Sequence, residues 1–143
     1  MSDIFEGFYY ATKEDDEKII NYYNEINNDE KLMEKQAEIL TYNIHVDENQ
    51  TESIHLIAMT LAVQNYMSSD CNHINVVVTS KKEGNLRAYC YYDEKTKKAI
   101  FGILKCLAEI PEELQDRMIE LTLEYTEKDL NQKVLEFVRK TVK

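Results

Sequence analysis

The residues of this chain equipped for chemistry are three histidines, His45, His55 and His73, and three cysteines, Cys71, Cys90 and Cys106. A cysteine beside a histidine would supply a thiolate nucleophile and its base, an arrangement assembled in space rather than in sequence. Nothing in the flanking residues selects one cysteine, so each reads first as a small buried hydrophobe. A zinc site announces itself by paired ligand spacings. Cys71-x-His73 has no matching pair, and His45 and His55 stand alone, so no metal is expected. The chain has no Gly-rich phosphate loop, no G-x-S-x-G and no H-E-x-x-H. No catalytic residue and no cofactor is assigned, and the expectation leans away from an enzyme.

Charge is more informative. The net charge is −10, and it is split along the chain. Residues 1–70 hold fifteen acids against four bases, residues 71–108 three against seven, and residues 109–143 nine against six. Such a field governs association and solubility rather than fold. The densest run is Glu14-Asp15-Asp16-Glu17. Its plain reading is a capped helix start on a solvated face. Its functional reading is an anionic surface for a basic partner, strengthened by Asp29, Glu30, Glu34 and Glu38 further on.

The basic middle offers two other constellations. Lys81 and Lys82 fall in one turn and Lys95, Lys97 and Lys98 near the next. These turns cap opposite ends of one strand, roughly 20 Å apart, so they read as lysines that discourage edge pairing rather than as one phosphate-binding stripe. Arg87, Tyr89 and Tyr91 alternate along a strand and share a face, where aromatics can stack bases. With a strand at 41–46, a crossover helix and two strands after it, the order β-α-β-β resembles the start of an RNA-recognition fold. Residues 87–92, Arg-Ala-Tyr-Cys-Tyr-Tyr, loosely resemble its third-strand motif. The departures are Cys90 at a Gly/Ala position, Glu94 at an aromatic one, and no strand evident after 111. The negative charge also repels a polyanion. Nucleic acid is therefore disfavoured, and tyrosines packed under helices are the expected arrangement.

Positioning these groups requires a core, and 143 residues with 43% apolar content can build one. Three glycines and one proline leave little room for linkers, so residues 1–143 read as a single globular domain. No basic n-region followed by an apolar run opens the chain, and the strongest apolar stretch, 54–63, is short of the ~20 residues of a membrane span. The expected setting is cytoplasmic, with reduced thiols and no membrane. The abundance of Asn, Lys, Ile and Tyr suits A/T-rich codons and a low-GC genome.

Thr12 with Asp15 opens a helix over about 13–27, with Ile19, Tyr22, Tyr23 and Ile26 at helical spacing. Met33, Ala37, Leu40 and Ile44 predict a second helix over 29–42, although Tyr42, Ile44 and Val46 also alternate as in a strand. Asn49 and Glu52 cap a helix over 50–68 whose apolar residues surround its axis, which makes it the buried central element. Strands at 73–80 and 86–92 form a hairpin about Lys81–Asn85, with Gly84 and Asn85 suited to positive φ. Residues 99–110 are a strand running into a helix, or a helix weakened by Gly102. Pro111 starts a helix bearing Leu114, Met118, Leu121 and Tyr125, and Thr126 with Asp129 starts a last one bearing Leu130, Val134, Phe137 and Thr141.

The expected fold is α+β: about five helices around the buried helix 50–68, with a small antiparallel sheet built on the hairpin 74–92. The expected function is a small acidic protein-binding factor, an inhibitor, immunity-type or regulatory protein that occludes a basic partner, in one version by nucleic-acid mimicry. The expected binding residues are Glu14, Asp15, Asp16, Glu17, Tyr22, Tyr23, Glu30, Glu34 and Glu38, with exposed tyrosines as anchors. The alternatives are a small α+β enzyme with a Cys/His site, and nucleic-acid binding through the hairpin. A deep pocket lined by Cys or His is the feature that would favour the enzyme.

Overall fold

A computed structural model describes residues 5–28, 40–46, 54–80, 84–105, 119–125 and 130–142. Its frame is a mixed sheet of six strands in the order β1-β5-β4-β3-β2-β6. The strands are β1 (Phe8–Tyr10), β2 (Leu40–Val46), β3 (His73–Ser80), β4 (Gly84–Asp93), β5 (Lys98–Lys105) and β6 (Ile119–Tyr125). The centre, β3-β4-β5, is an antiparallel meander. The flanks are parallel: β1 joins β5, β2 joins β3, and β6 joins β2.

Three helices are seen among the described residues, α1 (Lys13–Asn28), α2 (Ile54–Ser68) and α3 (Gln132–Thr141). The start of α1 is a reciprocal capping box. Asp15 N–H donates to Thr12 Oγ1 at 3.2 Å, and Thr12 N–H donates to Asp15 Oδ2 at 2.9 Å. The sequence placed this helix correctly because both halves of the signal are local. On α2, residues Ile57 to Val63 are all buried, Thr60 among them. That follows from the composition of the helix, which has no polar face to offer water. It links the parallel neighbours β2 and β3 and packs on β3 and β4, with α3 on its flank. The N-cap of α3 is Asn131, whose side chain accepts from the N–H groups of Lys133 and Val134. Asn131 N–H donates to Gln64 Oε1 at 2.9 Å, tying α3 to α2. None of these helices is long and apolar enough to cross a membrane.

Because strand side chains alternate, the sheet has two faces. Ile74, Val76, Val78, Ala88, Cys90 and Phe101 lie with α2 and α3 in the larger core. Tyr89, Ile100 and Leu104 point the other way and pack under Ile19 and Tyr23 of α1. Gly102 sits opposite Tyr89 in the register. A Cβ there would fall 2.8 Å from Tyr89 Oη and 2.9 Å from the Ala11 Cβ. Its glycine therefore serves the close approach of a tyrosine and the chain leading into α1, not a break in a helix.

Several expectations are corrected. Residues 40–42 are strand, not the end of a helix; the alternation of Tyr42, Ile44 and Val46 wins because β3 and β6 pair on either side. The first part of that predicted helix, 29–39, with Glu30, Glu34 and Glu38, lies outside the described residues. Gly84 and Asn85 belong to β4, paired with Ser80 and Thr79, rather than to the turn. Of the two readings of 99–110, the strand holds through Lys105; Cys106 and Pro111 lie outside the described residues. The stripe of Leu121 and Tyr125 does not make a helix. Ile119, Leu121, Leu123 and Tyr125 alternate with Glu120, Thr122 and Glu124, and the segment is β6. There is thus a strand after 111. Five helices around a small antiparallel sheet give way to three described helices and a six-stranded mixed one.

Candidate functional site

The two helix-covered faces differ in chemistry, and the α1 face carries the polar groups. His73 and Asn75 project from β3 opposite Tyr91 and Tyr89 of β4, and Arg87 follows on the same strand, opposite Val77. Tyr23 of α1 is buried, with 7% of its surface exposed, and its hydroxyl reaches both β3 residues. It donates to Asn75 Oδ1 at 2.7 Å and lies 2.5 Å from His73 Nε2. A phenol has one proton to give. With that proton on Asn75, the bond to His73 takes its hydrogen from Nε2, which leaves Nδ1 of the imidazole as an acceptor.

Burial and Arg87 set the protonation of this group. Burial first, then the nearby guanidinium, lowers His73 to about 3, so it is neutral at neutral pH. Burial pushes Tyr23 well above its ordinary value. The Arg87 guanidinium sits 4.9 Å from the Tyr23 ring centroid, is 7% exposed, and has its Nε without a hydrogen-bond partner among the described residues. A second link holds the start of the helix: Tyr89 Oη donates to Asp16 Oδ1 at 2.7 Å. Desolvation raises Asp16 above the usual carboxylate range, against the lowering effect of that bond.

Beside this network a cleft of about 300 Å³ opens along the flank of α1, lined by Lys18, Ile19, Tyr22, His73, Tyr91 and Tyr92. The His73 ring lies nearly parallel to those of Tyr22 and Tyr91, at 20° and 27°, with centroids 6.1 and 5.5 Å away. Burial, then the charges of Asp15, Asp93 and Asp16, push Tyr91 up to about 12. The field at that wall of the cleft is therefore negative.

The residues expected to bind a partner separate into distinct roles here. Glu14 and Glu17 are exposed on α1. Asp15 closes the capping box and Asp16 accepts from Tyr89, so both serve the helix and its seat. Tyr22 is half-buried and walls the cleft. Tyr23 is not the exposed anchor expected of it, because its ring fills the space between α1 and the sheet. Tyr9 is exposed, with Lys98 Nζ 4.5 Å from its ring centroid. Arg87 and Tyr89, the core of the base-stacking reading, are buried beneath α1, and β2 lies beside β3 in parallel.

Neither Cys71 nor Cys90 is in a disulfide among the described residues. Cys90 is wholly buried on the α2 face, where desolvation raises it far above an ordinary thiol. The Cys71 thiol donates to the backbone carbonyl of His73, at 3.5 Å, not to its ring. Among the described residues, no three side chains of the metal-binding types gather in one place.

A deep pocket lined by Cys or His is the feature expected of an enzyme, and His73 lines this open cleft. Yet a general base works best with a pKa near the working pH, and His73 is held several units below it. His73, Asn75 and Arg87 were not singled out together from the sequence, in which only Arg87, Tyr89 and Tyr91 of the second hairpin strand were read as sharing a face. Compared with known families, curated proteins and solved structures, the chain matches no family model, no curated protein and no solved structure.

Proposed function

We propose that the protein is an acidic binding factor that occludes a basic protein partner, as an inhibitor, immunity-type or regulatory protein would, and that α1 with its flanking cleft is the contact surface. The observation that carries this reading is the division of labour on α1. One side is seated on the sheet through Ile19 and Tyr23, while Glu14, Glu17 and Glu25 face solvent with Ile20, 42% exposed. Acids at the rim accelerate encounter, and apolar or aromatic groups near the centre hold the complex. The mimicry version draws its acids also from Glu30, Glu34 and Glu38, which lie outside the described residues.

The test begins with affinity capture from the native host and mass spectrometry, followed by association kinetics with the captured partner. Glu14 and Glu17 are the residues to reverse, since Asp16 is engaged with Tyr89. The double change Glu14→Lys and Glu17→Lys should slow association about tenfold at low salt and alter dissociation by less than about twofold. Association should also slow as salt rises, because the Debye length shrinks to about 8 Å at physiological ionic strength. An on-rate indifferent to both changes would reduce the acidic face to a solubility feature.

A further inference from the structure

The reading above leaves open what enters the cleft. We infer that the cleft beside α1 is a socket for the cationic side chain of a partner's arginine, held between the Tyr22 and Tyr91 walls against His73; this rests on the proposed binding function. Three independent features of the site agree.

The walls are aromatic. The Tyr22 and Tyr91 rings each lie near-parallel to the His73 ring, and the faces of tyrosine rings attract cations. A guanidinium is planar and weakly hydrated, so it stacks on such rings better than an ammonium does.

The field has the right sign on the Tyr91 side. Asp15, Asp16 and Asp93 all act on that tyrosine. Asp16 is fixed there by Tyr89, whose ring centroid is 5.9 Å from that of Tyr91, and Asp93 is fixed in its turn by the Thr96 hydroxyl and the Lys95 N–H. The opposing charge is Lys18, which is exposed at the rim and free to extend into water. Arg87 is positive too and its field reaches His73, opposing a cation there, but it lies against the Tyr23 ring and is not among the residues lining the cleft.

The third feature is the acceptor. The proton of Tyr23 is committed to Asn75, so His73 offers Nδ1 as a lone pair. Arg87 helps to keep that ring neutral. A neutral imidazole with an acceptor nitrogen welcomes an N–H of a guanidinium, whereas a protonated one would repel it.

The experiment uses the whole chain, isotope-labelled, with three probes: N-acetyl-arginine amide, its uncharged isostere N-acetyl-citrulline amide, and benzoate. Ring resonances of Tyr22, His73 and Tyr91 should shift with the arginine probe at about millimolar affinity, about tenfold tighter than with citrulline, and should not move with benzoate. His73 Nδ1 should show the nitrogen shift of an acceptor gaining a hydrogen bond. Lys18→Gln, an exposed change that spares the fold, should tighten the arginine probe about two- to threefold by removing a like charge. Tyr91→Leu should abolish the response, with the Tyr23–His73 bond as the check that the fold survives. Equal response to citrulline, preference for benzoate, or no ring shift with any probe would overturn the socket. Salt-steered association with a captured partner, alongside unmoved rings, would sink the socket and leave the binding function standing. Shifts with arginine and an unsteered partner would do the reverse.

Discussion

The two faces of the sheet invite comparison because they share the same strands and are built on opposite principles. On the α2 face, Ile57, Leu61, Val76, Ala88, Cys90, Phe101, Leu135 and Val138 form a dry, close-packed layer. On the α1 face, the layer contains a hydrogen-bonded tyrosine, a histidine, an asparagine and a guanidinium, and it opens to a cleft. The difference follows from alternation along β3 and β4, where every second residue belongs to the other world: Ile74, Val76 and Val78 against His73, Asn75 and Val77; Ala88 and Cys90 against Arg87, Tyr89 and Tyr91. The apolar face stabilises; the polar face holds a cleft in one geometry at some cost in stability.

Three measurements sharpen or break that contrast. The largest effect should come from the dry face. Leu61 is 1% exposed within α2, and Leu61→Ala should cost about 2–5 kcal/mol in chemical denaturation, the lost transfer energy plus the cavity left behind. A loss below about 0.5 kcal/mol would mean that α2 is not the centre of the fold.

The second effect belongs to His73. Its ordinary pKa of 6.5 falls to about 3 in the folded protein. As pH drops below 6.5, the unfolded chain takes up a proton that the folded chain refuses. The stability tied to this group is thus complete above 6.5 and is lost as pH falls towards 3. Relative to its value at pH 7, the stability at pH 4.5 should drop by about 2 kcal/mol more in the native protein than in His73→Gln. Parallel pH profiles for the two proteins would show that the polar face does not hold its histidine neutral.

The smallest effect tests the Tyr89–Asp16 link. Tyr89→Phe keeps the ring packed on Ile19, Ile100 and Leu104 and removes only the hydroxyl that donates to Asp16. It should cost about 1–2 kcal/mol, and the carboxylate of Asp16, relieved of its donor, should titrate higher still. A neutral result would make the bond incidental to seating α1.

What could be read in advance follows from the range of the signals. The capping box of α1, the all-round apolarity of α2 and the hairpin of β3 and β4 are each written within a few residues, and each was legible. The strand β6 was not. Leu121 and Tyr125 satisfy a helical spacing with Leu114 and Met118 as well as a strand spacing with Ile119 and Leu123, and only pairing with the distant Tyr42 and Ile44 decides between them. The candidate site divides in the same way. Tyr22 and Tyr23 were named because they sit on an acidic helix. Neighbours on one helix take different roles: Tyr23 is drawn inward by His73 and Asn75, some fifty residues away in the chain.

The strand order also has a consequence in time. β3, β4 and β5 are consecutive in the chain and joined by short connections, whereas β1 and β6 attach in parallel to strands far from them in sequence. Distant pairings must overcome the entropy of closing a long loop before any contact rewards it. The middle of the chain is therefore expected to assemble first and its two ends to arrive afterwards, one at each edge of the sheet. α1 comes in with the N-terminal arrival, and the Tyr23–His73 bond forms only when it lands. On that order the cleft is among the last parts of the molecule to exist, and in a nascent chain it takes shape only when the beginning of the chain has folded back over its middle.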